Sequence, residues 1–212
     1  MKKKVVIVSG IQLISNPRVF KEAKCLSENG FDVTVLAAIY DTESLSLTEE
    51  LLHGTLFNHR VVFDGASTNV VERIKVFSCR IIGKLARVVH SIFGWESPLQ
   101  LGNQVIPLLF AARRQTADLF IVHLEQALFV GCELLKDGKK VAIDVEDWYS
   151  EDGLPEARAQ RPLALMRRYE RTLLESCCYS STTSSALSQS LAFRYQCALP
   201  EVIFNTFAFA ER

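Results

Sequence analysis

Acidic side chains crowd one short stretch of this chain. Asp144, Glu146, Asp147, Glu151 and Asp152 lie close together at the end of an apolar run. Carboxylates grouped in this way can hold a divalent cation through oxygen. The spacing is not the D-x-D-x-D-G of a calcium loop, however, and the competing reading is a solvated acidic loop. His123 closes another apolar run, where it can contact a substrate hydroxyl or simply hydrogen-bond to backbone. No sequence-local Ser nucleophile or carboxylate dyad completes a triad with it. Ser9, Gly10 and Gln12 belong to a loop over 9–15 that leads into a helix start at Asn16-Pro17-Arg18. Unpaired N–H groups and the positive end of the helix dipole suit phosphate there, and Arg18 in the first turn adds charge. The alternative for Arg18 is a surface ion pair. Gly10 stands alone where a dinucleotide fingerprint needs G-x-G-x-x-G, so NAD and FAD are not expected.

The elements that position these groups follow from the hydrophobic pattern. Val5-Val6-Ile7-Val8 is a β-branched run of the kind found in a strand covered on both faces. Asn16 is a good N-cap and Pro17 a good first helical residue. Val19, Ala23 and Leu26 fall on one helical face, and Asn29-Gly30 ends the helix before a second strand over 31–36. This is a βαβ unit, whose parallel strands need a crossover of about this length. Further strands are expected over 57–63, 118–123, 140–144, 179–182 and 201–204. Helices are expected over 69–93, from Pro98 to about 115, and over 125–136, 163–177 and 184–194, with a loop and short helix over 41–53. The alternation predicts an α/β fold: a doubly wound, mostly parallel, Rossmann-like sheet of about seven strands with helices on both faces.

The segment 69–93 carries a second pattern. Val70, Ile74, Phe77, Ile81, Leu85, Val88 and Ile92 track one face, while Arg73, Arg80, Lys84 and Arg87 share another, with Glu72 the only acid. Either the apolar face packs into the core, or the cations meet an anionic membrane surface with shallow insertion of Val76 or Val89.

Composition bounds the remaining classes. The 212 residues carry 24 basic and 24 acidic side chains, so no global field favours nucleic acid, and 49% hydrophobic content suits a folded core. Cys25, Cys79, Cys132, Cys177, Cys178 and Cys197 form no CxxC pair or zinc spacing and are expected to be reduced thiols. The apolar run after Lys2-Lys3-Lys4 is too short for a signal peptide, and no stretch approaches the roughly 18 apolar residues of a membrane span. A cytoplasmic location is expected, with peripheral attachment at the inner face of the membrane as a further expectation.

Several strings, in order, resemble the N-terminal half of a GT-B glycosyltransferase of the large retaining family called family 4 or group 1. Asn16-Pro17-Arg18-Val19 with Lys21-Glu22-Ala23 and Leu26 resembles its NPRV-x-KEA opening. Gly30-Phe31-Asp32-Val33-Thr34-Val35 resembles its second strand, and 118–123 its strand from Asp to His. Asp144-Val145-Glu146-Asp147 resembles its D-x-H-D, with Glu146 where the family has His. Residues 170–184 resemble its E-R-x-L-L helix and T-x-S strand end, and Ile203-Phe204-Asn205 its I-P-N before the interdomain hinge.

The resemblance implies an acceptor-binding domain over 1–204, the start of a hinge over 205–212, and a donor-binding domain that is absent here and would act in cis or trans. It implies transfer of a sugar from a nucleotide-sugar co-substrate to a glycan or lipid-linked acceptor, with no cofactor and no bound metal. Glu146 and His123 are the implied catalytic groups, and Ser9, Gly10, Gln12, Arg18 and Asp147 the acceptor or phosphate contacts. A carboxylate at 146 can still accept a hydroxyl proton. Substitution of Glu146 or His123 is expected to cost function rather than packing. The alternative is a non-catalytic, membrane-associated subunit that partners a separate donor-binding domain. An epimerase or reductase is disfavoured by the missing glycines.

Overall fold

The computed structural model describes residues 2–206. Its organising strand is β1 (Lys4–Ser9), whose Val5, Val6, Ile7 and Val8 are all buried, as the β-branched run requires. β1 pairs in parallel with β2 (Asp32–Ile39) on one side and β4 (Leu119–His123) on the other. The crossover from β1 to β2 is α1 (Pro17–Glu28). Asn16 caps it by accepting the Val19 N–H at 3.1 Å, and Gly30 takes the left-handed conformation at φ 89° that releases the chain into β2.

The chain continues through α2 (Thr42–Leu52), β3 (Asn58–Asp64), α3 (Val70–Phe93), a 3-10 turn at Pro98–Gln100 and α4 (Val105–Arg113) before β4. After β4 come α5 (Glu125–Lys136), β5 (Val141–Val145), α6 (Pro155–Arg158), α7 (Leu163–Ser176), β6 (Tyr179–Thr182), α8 (Ser185–Tyr195) and β7 (Glu201–Val202). Among the described residues the seven strands form one sheet in the order β3-β2-β1-β4-β5-β6-β7, with every neighbouring pair parallel. The expected α/β, doubly wound, Rossmann-like sheet is therefore present. One face is covered by α1 through Val19 and Ala23, with Leu51 and Leu52 of α2 packed alongside. The other is covered by α4, α5, α7 and α8, with Leu108, Leu128, Leu173 and Leu191 in a continuous core.

Local expectations change in five places. Within 41–53, Thr42–Leu52 form one regular helix because Asp41 caps it, accepting the Ser44 N–H at 2.8 Å. The helix expected from Pro98 is instead a short turn and a separate α4, broken at Gly102-Asn103. Gly102 sits too close to Gln104 and Gln126 for a side chain, since a Cβ would lie 2.9 Å from each. The chain leaves the last strand after two residues rather than four, and the single turn of α6 carried no periodicity to read.

The fifth change concerns α3. Its apolar stripe does not enter the core: Val70, Ile74, Phe77, Ile81, Leu85, Val88 and Ile92 are 41–67% exposed. The helix instead buries a narrow line through Val76 and Gly83. Val76, expected as a candidate for membrane insertion, is therefore a core residue. The reason is topological. β3 is the edge strand, and α4 already reaches across β3, β2 and β1, leaving no open sheet for a second broad apolar face. No described helix is long and apolar enough to cross a membrane.

Gly131 of α5 lies tight against both α7 and the sheet, where a Cβ would stand 2.8 Å from Leu173 Cδ2 and 3.0 Å from Val122 Cγ2. Gly131→Val should cost about 1–3 kcal/mol by overpacking this seam. Urea unfolding measures it, and an unchanged midpoint would mean that α5 is not seated as described.

Candidate functional site

The strand order reverses direction between β1 and β4, and open α/β sheets bind ligands at the carboxyl ends of such strands. Here the ends of four adjacent strands are in register. Ser9 lies beside His123, His123 beside Asp144, and Asp144 beside Ser181. Parallel strands in register present such neighbours on one face of the sheet, and on that face α1 supplies Arg18 and Glu22.

These groups form a buried charge network. Arg18 holds Asp144 through Nε and through an Nη2 bond of 2.7 Å, and donates to the Ile203 carbonyl at 2.6 Å. Ser181 Oγ donates to Asp144 at 2.5 Å. His123 donates from Nε2 to Glu22 at 2.7 Å and from Nδ1 to Glu146 at 3.1 Å, with Asp144 at 3.4 Å from Nδ1. Arg18, His123 and Asp144 are 6%, 1% and 2% exposed. Burial alone would depress the His123 pKa, but Glu22, Glu146 and Asp144 together outweigh it and hold the imidazolium up to about 10. Burial pushes Asp144 up, yet the bond from Arg18, the His123 charge and the Ser181 hydroxyl bring it below the ordinary carboxylate range.

Glu146 stands at the rim of this network, just past β5. Its Oε1 accepts from Asn16 Nδ2 at 2.9 Å and from His123. Its backbone N–H donates to the hydroxyl of buried Tyr149 at 3.1 Å, and its carbonyl accepts from the Thr183 hydroxyl at 3.0 Å. Among the described residues Oε2 makes no hydrogen bond, so one carboxylate oxygen is open while the other is fixed. Asp147 follows it and is exposed.

The remaining residues named from sequence divide into two groups. Ser9 is buried, donating to the Ile11 carbonyl at 3.0 Å, and the Gly10 N–H reaches the His123 carbonyl at 3.3 Å. Gly10 has no room for a Cβ, which would stand 2.5 Å from Gln126 Oε1. Gln12 bonds Ser15 at 3.0 Å through its amide nitrogen. The buried Oε1 atoms of Gln12 and Gln126 have no hydrogen-bond partner among the described residues. Arg73, Arg80, Lys84 and Arg87 lie together on α3 beside the edge strand, apart from the network.

The structure adds participants that the sequence did not name as site residues: Asn16, Glu22, Tyr149, Ser181 and Leu124. Glu22 had a signal, since it lies four residues after Arg18 on one face of α1. Leu124 had none. It sits directly after His123 at φ 68°, ψ 164°, a region essentially reserved for glycine, and strain of about 1–3 kcal/mol of this kind gathers at functional sites. Two expectations also change weight. Arg18 is a buried pair rather than a surface one, its guanidinium engaged by Asp144 and the Ile203 carbonyl. His123 is a fully buried ion-pair hub, so its replacement should cost folding.

The ligand atoms of His123, Asp144 and Glu146 lie within 4.8 Å of one another, a spacing a cation can use. Arg18 and protonated His123 already supply positive charge to these carboxylates, and a metal would have to displace both. The donor set is satisfied as an ion-pair network. Beside it runs a groove of about 320 Å³, lined by Arg18, Glu22, His123, Asp144, Phe204 and Asn205. Lys21 Nζ bonds Asn205 Oδ1 at 2.6 Å and the Thr206 carbonyl at 2.8 Å, tying residues 205–206 to α1. The rest of the expected hinge, 207–212, lies outside the described residues.

No family model and no curated protein matches the chain in sequence. Solved structures do match in shape. Sucrose-phosphate synthase from Thermosynechococcus elongatus superposes with a TM-score of 0.57 at 12% identity, over 96% of this chain and 47% of that one. UGT89C1 of Arabidopsis thaliana, solved with UDP, gives 0.51 at 12% identity, over 100% of this chain and 50% of that one. The same enzyme solved with quercetin gives 0.51 at 13% identity. The chain thus spans about half the length of these structures, and the likeness shows the fold: the Rossmann-like α/β arrangement of GT-B glycosyltransferases.

The network sets a pH dependence. His123 is raised from an unfolded value near 6.5 to about 10, so its contribution is full below about pH 6.5 and disappears as pH rises through 10. The stability advantage of the native chain over His123→Gln should therefore shrink steadily from pH 6.5 to 10 in thermal melts. A constant advantage would show that His123 is not held as the imidazolium. Arg18→Met, which strands buried Asp144, should cost about 3–5 kcal/mol at pH 7; a loss under 1 kcal/mol would place the pair in solvent.

Proposed function

We propose that this chain is the acceptor-side half of a retaining glycosyltransferase. It would receive the hydroxyl of a glycan or lipid-linked acceptor while a donor-binding domain, in cis or trans, holds the nucleotide sugar. The observation that carries the reading is the rim at the β1/β4 reversal. There one oxygen of Glu146 is fixed by Asn16 and His123 and the other is open, with the unpartnered amide oxygens of Gln12 and Gln126 near the same edge. Unpaired buried acceptors call for hydroxyl or water partners, and a sugar offers several hydroxyls in a fixed array. The shape likeness to half of GT-B enzymes supports the same assignment.

In this reading Glu146 accepts a hydrogen bond from the attacking hydroxyl through Oε2. His123 acts as a positioning residue: it is protonated and donates from both nitrogens, so it fixes the carboxylate and takes up no proton itself. Arg18 and Asp144 hold α1 against the sheet so that Asn16 can reach Glu146. The rival assignment, a non-catalytic subunit, draws on the same geometry, because the two strongest charged groups are already neutralised by their neighbours.

Activity separates the two. The chain purified alone should transfer no sugar from any nucleotide-sugar donor, because the donor and its leaving diphosphate need a second surface to stabilise developing charge. Supplied with its donor-side domain, Glu146→Gln should keep the Asn16 bond and a cooperative fold, with some loss of melting temperature from the missing charge beside His123, but lower kcat by about a hundredfold. Turnover by the lone chain would refute the half-enzyme reading, and an unchanged kcat would favour the non-catalytic subunit.

A further inference from the structure

α3 has the form of a helix built to lie on a surface. It is set by its own ends: Asn69 accepts the Val71 and Glu72 N–H groups at 2.9 and 3.3 Å, and Gly94 at φ 68° closes it. It touches the domain through Val76 and Gly83, and Gly83 permits this because a Cβ there would stand 2.6 Å from Asn103 Oδ1. Twenty-four residues at about 1.5 Å each make a rod of about 36 Å. The exposed stripe from Val70 to Ile92 runs along it, opposite the Val76–Gly83 line. At its end Phe93 and Trp95, both more than half exposed, pack together with ring centroids 5.7 Å apart.

The charges on this rod are as informative as its apolar stripe. Arg73, Arg80, Lys84 and Arg87 border the stripe on one side, and among the described residues none of them meets a carboxylate. Elsewhere Arg113 holds Asp137, Arg158 and Arg167 hold Glu151, and Arg171 holds Glu175, while exposed Arg60, Arg114, Arg168 and Arg194 meet no carboxylate among the described residues; what marks α3 is that four such cations share one helical face. The one acid on α3, Glu72, is occupied by Lys75 at 2.9 Å. Arg73 and Arg80 also line an open groove of about 510 Å³ between α3 and the end of β3, together with Ile74, Phe77 and Asp64.

We infer that α3 docks the protein on an anionic phospholipid surface, lying in the plane of the interface. The stripe Val70, Ile74, Phe77, Ile81, Leu85, Val88 and Ile92 enters the headgroup–acyl boundary, and the flanking cations meet lipid phosphates. The charge complementarity names the occupant. A broad aliphatic face ending in an aromatic pair, bordered by unpaired cations, is the pattern of an interfacial helix, and aromatic rings such as Trp95 favour the headgroup level. The helix lies on the membrane and does not span it, in keeping with the absence of any described helix apolar enough to cross. The inference rests on α3 alone and stands whether or not the chain takes part in sugar transfer.

Vesicle sedimentation with the 212-residue chain tests it. The chain should pellet with phosphatidylglycerol vesicles at low salt, and added salt should release most of it. Arg80→Glu/Lys84→Glu/Arg87→Glu should weaken binding by about a hundredfold or more. Ile74→Ser/Phe77→Ser/Ile81→Ser, which alters only exposed side chains, should abolish binding while leaving the melting temperature intact. Trp95 emission should shift to the blue with anionic vesicles, and a Trp95→Phe control should lose that shift. Equal recovery with phosphatidylcholine and phosphatidylglycerol would overturn the inference. So would a chain that ignores both vesicles and forms a dimer that the serine triple variant dissociates, since a second copy would then cover the stripe.

Discussion

The bidentate pair between Arg18 and Asp144, with His123 wedged beside it, is the constraint on which the rest of the structure depends. Arg18 comes from α1, Asp144 from β5 and His123 from β4, and Arg18 also takes the carbonyl of Ile203 just after the last strand. One buried cluster therefore joins the first helix, the centre of the sheet and the chain's exit. Desolvating such charges is costly, and clusters of this kind persist where each member satisfies the others. Here Ser181, Glu22, Glu146 and Asn16 complete the hydrogen bonding. Removing Arg18 leaves buried Asp144 without its bidentate partner, and removing His123 leaves Glu22 and Glu146 without the cation they share.

That arrangement changes what the site residues can do. A histidine at the end of a strand in a ligand cleft suggests a base, but three carboxylates around it make this one a fixed cation. In the proposed reading the reactive group is instead Glu146, whose inner oxygen is held by the network and whose outer oxygen is open. The strained Leu124 beside His123 belongs to the same design, since it turns β4 sharply into α5 and brings Gln126 against Gly10. A single fixed carboxylate, rather than a dyad or triad, is what the proposed reading rests on.

Much of the fold was legible because its signals are local. The β-branched run of β1, the Asn16-Pro17 helix start and the Asn29-Gly30 stop each carry their own stereochemistry, and the alternation of elements fixes a parallel sheet. Residues 9–12, 18, 123 and 146 were drawn to one edge of that sheet by topology alone. Their ionisation was not legible, because it depends on register: Asp144 faces His123 only through β4–β5 pairing, and Glu22 only through the packing of α1. The orientation of α3 was hidden for a different reason. Periodicity reports that a helix has an apolar face but not whether any sheet remains for it to cover, and α4 had already covered that sheet. Leu124 left no trace, since nothing about leucine announces a positive φ.

The protonation of His123 tests this account most directly. Nitrogen-15 NMR of the four histidine rings, followed from pH 6 to pH 10, would report it. The account predicts that both His123 ring nitrogens keep their protons at pH 8 and begin to titrate only as pH nears 10. A His123 ring that loses a proton near pH 6.5, as a free imidazole does, would contradict the buried network and, with it, the fixed carboxylate of Glu146.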